Sequence, residues 1–253
     1  MKAMIFAAGL GTRLKPLTDA MPKALVPIGE KPLLEHIILK MKMVNVNEII
    51  INIYHFGEQI IDFLNKNNNF GIKITISDER DALLDTGGGL RKAAWFFSDN
   101  KPFLVHNVDI FSNVDFAKLY ANHLKNNVLA TLVVSGRQTQ RYFLFDENNY
   151  LQGWINTAAN EVKPANLQNI NNLKRLAFAG IQILSPKVFD FLEKMPQAKF
   201  SLTDFYLQNT KNQCIKAYIP PDFKMLDIGK IDVLSQAENF NYYPAQPSLS
   251  KFR

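Results

Sequence analysis

Apolar positions in the first hundred residues come in two alternating forms, short unbroken runs and helically spaced stripes. Residues 3–8 form a run that predicts a buried strand, broken at Gly9 and Gly11. After Lys31-Pro32, the positions Leu33, Leu34, Ile37, Ile38 and Met41 recur on one helical face, and proline is tolerated in the first turn of that helix. Residues 48–53, E-I-I-I-N-I, read as a strand, residues 57–65 as a helix with Ile60, Ile61 and Leu64 inward, and residues 72–77 as a third strand. Strand, helix, strand, helix, strand predicts a parallel sheet covered on both faces, with ligands at the carboxyl ends of its strands.

The pattern changes past the middle of the chain. Residues 101–109, K-P-F-L-V-H-N-V-D, make an apolar strand ending in polar residues, and residues 115–126 an amphipathic helix carrying His123, read as a surface position. A strand over 128–135 is followed by short strands over 142–146, 150–154 and 177–184. The asparagine-rich segment 156–174 between them reads as a mobile loop over a site or as a surface insertion. Short helices over 186–192 and 202–208, a strand over 213–219 and a closing helix over 228–240 complete the pattern. The tail from Tyr243 to Arg253 is expected on the surface, and no repeat or interdomain linker is evident.

Composition narrows the class. The 253 residues suffice for one large domain, and 47% hydrophobic with 21% charged residues is ordinary for a soluble globular chain. No apolar run has the length of a bilayer span and Met1 leads straight into a strand, so a cytoplasmic location without membrane association is expected. The single cysteine, Cys214, cannot form an internal disulfide and is expected as a small core residue. A net charge of +6 without a basic helix or aromatic-interleaved patch suits phosphorylated small molecules and argues against nucleic acid.

The chemistry concentrates in the first thirty-two residues. The turn at Gly9 and Gly11 has a phosphate-loop layout: exposed N–H groups form an anion-binding concavity, and Thr12, Arg13, Lys15 and Lys23 add donors and positive charge. The dinucleotide fingerprint is excluded because its third glycine would be Leu14, and the P-loop because no Gly-Lys-Ser/Thr follows. A second glycine cluster, D-A-L-L-D-T-G-G-G-L over residues 81–90, reads as a loop or helix start that brings backbone amides near something flat or charged. Asp109, at the carboxyl end of a central strand level with the glycine loop, is placed to hold Mg²⁺, a hard cation that prefers carboxylates and substrate phosphates.

The stretch A-A-G-L-G-T-R-L-K-P-L-T, then P-K-A-L-V-P-I and K-P-L, resembles the signature of the sugar-1-phosphate nucleotidyltransferases. The resemblance continues in Asn107-Val108-Asp109, where the family usually has N-G-D. It continues in F-A-G-I over 178–181 and in K-M-L-D-I-G over 224–229, where Met225 replaces a tryptophan and Lys230 a threonine. It implies a three-layer Rossmann-like α/β fold with a central, mostly parallel sheet and a smaller sugar-binding lobe. Residues 1–240 would form one domain, with 1–110 binding the nucleotide and 111–240 the sugar, and 241–253 would be a tail.

The resemblance also implies roles. Ala8, Gly9, Gly11, Thr12, Arg13, Thr86, Gly87 and Gly88 would bind the nucleoside triphosphate. Lys23, Asn107, Tyr142 and Gly180 would bind the sugar 1-phosphate, Asp109 and Asp227 would hold Mg²⁺, and Arg13, Lys23, Asp109 and Asp227 would form the catalytic set. Asp85 before T-G-G-G, together with F-A-G-I, most resembles the branch that acts on N-acetylmuramic acid 1-phosphate with UTP, in cell-wall sugar recycling. Arg141 and Tyr142 depart from it, standing where that branch commonly has G-D. Alternatives are a mannose- or heptose-1-phosphate guanylyltransferase and a non-catalytic nucleotide-sugar sensor; the retained Arg13, Lys23, Asp109 and Asp227 count against the sensor. Oligomeric state is left open.

Overall fold

The computed structural model describes residues 1–210, 214–229 and 231–240. Gln213, Lys230 and the expected tail lie outside the described residues. The first part of the chain runs through β1 (Lys2–Phe6), a small hairpin of β2 (Pro27–Ile28) and β3 (Lys31–Pro32), α1 (Leu33–Met43), β4 (Glu48–Ile53) and α2 (Gly57–Lys66). It continues through β5 (Lys73–Asp78), α3 (Asp85–Lys92), β6 (Phe103–Asn107) and β7 (Ile110–Ser112). The remainder comprises α4 (Phe116–Asn126), β8 (Ala130–Ser135), β9 (Arg141–Phe145), β10 (Leu151–Asn156), β11 (Glu161–Lys163) and the long β12 (Lys174–Leu184). Then follow α5 (Val188–Leu192), α6 (Leu202–Asn209), β13 (Ile215–Tyr218), β14 (Met225–Asp227) and α7 (Leu234–Glu238).

One large mixed sheet has the order β11-β10-β9-β12-β6-β1-β4-β5, with β8 on β12 and β13 on β8. The expected Rossmann-like arrangement is present: β6, β1, β4 and β5 are mutually parallel. From β12 outward the ladders to β6, β9 and β8 are antiparallel. Consecutive residues of β1 and β4 face opposite sides, which explains their unbroken apolar sequences. Ala3, Ile5, Ile49 and Ile51 join a core under α1 and α4, whereas Met4, Phe6 and Ile50 join a second core under α3 and α6. The sheet is thus the middle of three layers, and burying one such side chain is worth ~1.5–3 kcal/mol.

Three expectations are corrected. His123 is buried rather than on the surface: Nδ1 lies 2.9 Å from Thr131 Oγ1 and Nε2 3.2 Å from Ser185 Oγ, and burial lowers its pKa to about 4. Thr131 and Ser185 supply polar partners inside an otherwise apolar interface, a tertiary arrangement that helical spacing cannot reveal. Cys214 is exposed because it precedes β13 instead of lying within its buried register. Segment 156–174 is no plain loop, since Trp154 to Asn156 pair with Glu161 to Lys163 and continue the sheet to its edge. Among the described residues, no helix is long and apolar enough to cross a membrane.

Candidate active site

The carboxyl ends of the four parallel strands open on one cleft of about 450 Å³. Ala8, Gly9, Gly11, Thr12 and Arg13 line it from the loop after β1. Gly11 takes a left-handed conformation (φ 66°), which starts a short turn in which Leu14 N donates to Gly11 O at 2.8 Å. Thr18 Oγ1 donates to the same carbonyl at 2.9 Å. The Gly11 carbonyl is therefore engaged with protein, and Gly9 and Thr12 stay exposed at the cleft.

A buried polar pair, Asn52 and Glu79, lies under this loop and was not singled out from the sequence. Asn52 Oδ1 accepts from Ala7 N at 2.8 Å while Asn52 Nδ2 donates to Glu79 Oε1 at 2.8 Å. Glu79 Oε2 accepts from Leu84 N at 3.2 Å, so one hydrogen-bonded chain connects the phosphate-type loop to the segment that starts α3. Burial raises the Glu79 pKa, opposed by the Asn52 and Leu84 donors. The available signal was an asparagine inside an otherwise apolar strand, since a buried amide needs partners.

Asp85 and Thr86 line the same cleft, Asp85 with left-handed backbone (φ 60°) at the start of α3. The glycines that follow serve a different neighbour. Gly87 N and Gly88 N donate to Phe200 O at 2.9 and 3.2 Å, and neither glycine lines the cleft. A Cβ on Gly87 would run into the Phe200 ring, one on Gly88 into Ala198 O and one on Gly89 into Glu79 Oε1. The run is thus a helix pressed against backbone and a buried carboxylate, at the usual cost of glycine in a helix. Thr86 Oγ1 accepts from Leu202 N at 2.9 Å and strengthens the same junction.

Asp109 and Asp227, more than a hundred residues apart, meet through a two-stranded ladder. β14 pairs antiparallel with β7 so that Asp227 stands opposite Ile110, and Ile228 N donates to Asp109 O at 2.8 Å. Lys23, buried on a short helical turn, places Nζ 2.5 Å from Asp109 Oδ2. Burial and then the neighbouring Asp109 raise the pKa of Asp227, while Lys23, Arg13 and Arg137 act in the opposite direction. Asp227 nonetheless keeps a solvent-exposed surface. A Cβ on Gly229 would stand 2.9 Å from Asp227 Oδ1 and 3.0 Å from Arg13 Nη2, so the glycine lets the carboxylate and the guanidinium approach the same point.

Of the residues expected to hold the sugar phosphate, Asn107 lines the cleft directly. Gly180 does not line it but lies behind Asn107: its φ is 70°, and a Cβ there would stand 2.8 Å from Asn107 Nδ2. It falls where the β12–β8 register shifts, between Phe178 and Gln182. Tyr142 is not among the residues lining the cleft; its hydroxyl accepts from Thr139 N at 2.9 Å and steadies the loop between β8 and β9. Arg13, Lys23, Asp109, Asn107, Thr86 and the glycine loop are brought together, and Asp227 adjoins them through Asp109, Arg13 and Gly229. Among the described residues no cluster of three or more histidine, cysteine or acidic side chains could hold a metal ion.

Comparison with known proteins follows this geometry. Residues 2–242 match the Nucleotidyl transferase family. The chain is 32% identical over 207 residues to the N-acetylmuramate alpha-1-phosphate uridylyltransferase of Neisseria meningitidis serogroup B, covering 79% of this chain and 82% of that protein. It is 34% identical over 203 residues to a probable mannose-1-phosphate guanylyltransferase of Oryza sativa, covering 78% of this chain but only 53% of the rice protein. The crystal structure of HddC from Yersinia pseudotuberculosis complexed with GMP-PN superposes with a TM-score of 0.74 at 23% identity, covering 94% of this chain and 98% of that one. A glycine loop, a lysine and two aspartates held at the ends of these strands, in a chain matched almost from end to end, make this protein a member of the nucleotidyl transferase family.

Proposed function

We propose that the protein transfers a uridylyl group from UTP to N-acetylmuramic acid 1-phosphate and releases pyrophosphate, a reaction of cell-wall sugar recycling in the cytoplasm. One observation carries the reading: Arg13, Lys23 and Asp109 line a cleft of nucleotide size beside an anion-type glycine loop, and Asp227 adjoins them. The Neisseria relative supports the uridylyl and muramate assignment, and Asp85 at the cleft is consistent with it.

In this reaction a phosphate oxygen of the sugar 1-phosphate attacks the α-phosphorus, the α–β bridging P–O bond breaks, and pyrophosphate leaves. The obstacle is repulsion between two anions. Arg13 and the loop amides would hold the triphosphate, and Lys23 would leave Asp109 for the oxygens on which charge accumulates. Asn107 would orient the acceptor phosphate. No general base is needed, because a phosphate monoester is largely ionised at neutral pH. The donor set fits Mg²⁺, which is commonly held by one or two carboxylates with phosphates and water completing its shell. Burial first, and the Asp109 charge second, raise the pKa of Asp227, so the two carboxylates lie close enough to feel one another. Bound there, Mg²⁺ would screen both reactants and align them.

The test is pyrophosphate release with Mg²⁺ across UTP, GTP, CTP and dTTP, each against N-acetylmuramic acid, N-acetylglucosamine and mannose 1-phosphates. Release with UTP and the muramate sugar is the expected result. Release confined to GTP and mannose 1-phosphate keeps the chemistry and overturns the substrates, and silence from every pair with nucleotide binding intact points to a sensor.

A further inference from the structure

Past Arg13 and Gly229 the cleft is continued by a second concavity of about 330 Å³, which also includes Asp227. Its charged residues beyond Arg13 and Asp227 are Arg137, from the loop between β8 and β9, and Asp232, on the turn that precedes α7. That loop is tied down at several points. Arg137 Nη2 donates to Phe178 O at 3.2 Å, Thr139 N donates to the Tyr142 hydroxyl at 2.9 Å, and Thr157 N donates to Gln140 O at 2.8 Å. Among the described residues no carboxylate, Asp227 and Asp232 included, stands within ion-pair distance of Arg137, although its charge reaches Asp227. A guanidinium has five N–H donors, and among the described residues one of them is engaged, by Phe178 O. Met225, Leu226 and Val233 contribute an apolar wall beside it.

A guanidinium with unengaged donors next to an apolar wall suits a carboxylate attached to a small alkyl group. The concavity adjoins Asp227, away from the Asp85 and Thr86 end of the main cleft, so the group it receives belongs to the acceptor. We propose that Arg137 is the acceptor-specificity residue, binding a carboxylate carried by the sugar 1-phosphate, with Met225 and Val233 against the carbon that bears it. The inference rests on the acceptor reading above and deepens it: N-acetylmuramic acid differs from N-acetylglucosamine by a lactyl ether, a carboxylate with a methyl group. It also gives the departure at Arg141 and Tyr142 a meaning, because Tyr142 holds the Arg137 loop where an acidic sugar contact is common in relatives of that branch.

The experiment compares the full-length protein with its Arg137→Ala and Arg137→Lys variants, using N-acetylmuramic acid 1-phosphate and N-acetylglucosamine 1-phosphate with UTP. In Arg137→Ala the ratio of kcat/KM for the acidic over the neutral acceptor is expected to fall by about 10- to 100-fold, carried mainly by KM, as for loss of one charged hydrogen bond. Arg137→Lys should recover part of that ratio. Equal losses on both acceptors would assign Arg137 to their shared phosphate or to the fold, and an unchanged ratio would show that it reads neither; both outcomes overturn the inference. Should the wild-type protein turn over another nucleotide and sugar pair, the substrate reading fails separately. The two compounds then serve as competitive inhibitors of the working reaction, and a ratio of inhibition constants unmoved by Arg137→Ala sinks the inference on its own.

Discussion

The two sides of the cleft are built differently. On the side proposed to hold the nucleotide the contributing residues follow three neighbouring parallel strands, β1, β4 and β5, and a buried chain from Ala7 through Asn52 and Glu79 to Leu84 ties them together. On the side proposed to hold the acceptor, Asp227 arrives on a three-residue strand, Asn107 is backed by Gly180 at a register shift, and Arg137 sits exposed on a loop. A pre-wired region suits the reactant part that every member of such a family shares, and a looser one suits the part that varies. Loops on a rigid scaffold are where specificity is commonly altered.

The strongest way to break this contrast is to remove its point of contact. Asp109→Asn and Asp227→Asn should each lower turnover by about 10²–10³-fold, the scale of losing a principal charge-stabilising group. If Asp227→Asn kept more than a tenth of wild-type turnover, the acceptor half would not complete the machinery. A smaller effect sharpens the division between the sides: Asn52→Ala leaves Ala7 N and Glu79 without their amide partner. It should cost about 1–3 kcal/mol in urea unfolding and raise KM for the nucleotide more than KM for the sugar phosphate. Equal increases in both constants would mean that the buried chain stabilises the whole cleft rather than one side.

The smallest effect concerns the support beneath β7. Lys40 is buried against the Phe116 ring and donates to Ser112 O, and burial lowers its pKa to about 7 from 10.5, partly offset by Asp115. Between those two values the unfolded chain holds more protons than the native one, so this group makes stability rise with pH, by at most about 1.4 kcal/mol per unit. Urea midpoints of the wild type should climb from pH 7 to pH 9, and those of Lys40→Met should lack that component. Identical slopes in the two proteins would refute the assignment.

The same contrast decides what could be read in advance. β1 and β4 were legible because strands covered on both faces have continuous apolar sequences, the edge strand β5 because Ile72, Ile74 and Ile76 alternate with polar residues, and the loop after β1 because its glycines and charges are contiguous. Partners supplied by distant segments were not legible. His123 depends on Thr131 and Ser185, and the glycines after Thr86 answer to Ala198 and Phe200. Asp227 could be tied to Asp109 only by resemblance, since nothing local to either residue encodes the ladder between them. Arg137 belongs to no motif and is defined solely by the concavity around it.

The short ladder between β7 and β14 also sets a timetable for the making of the protein. Asp109 leaves the ribosome long before its counterpart, and the acceptor-side strands must be synthesised before Asp227 can zip alongside. Closing so long a loop is a slow, late event compared with forming the parallel strands next to the glycine loop. On the proposed function, an unfinished chain could hold a triphosphate yet lack the second carboxylate needed to use it. On that reading, competence waits until Asp227 has been made, more than a hundred residues after Asp109, which spares the nucleotide pool from half-built enzyme.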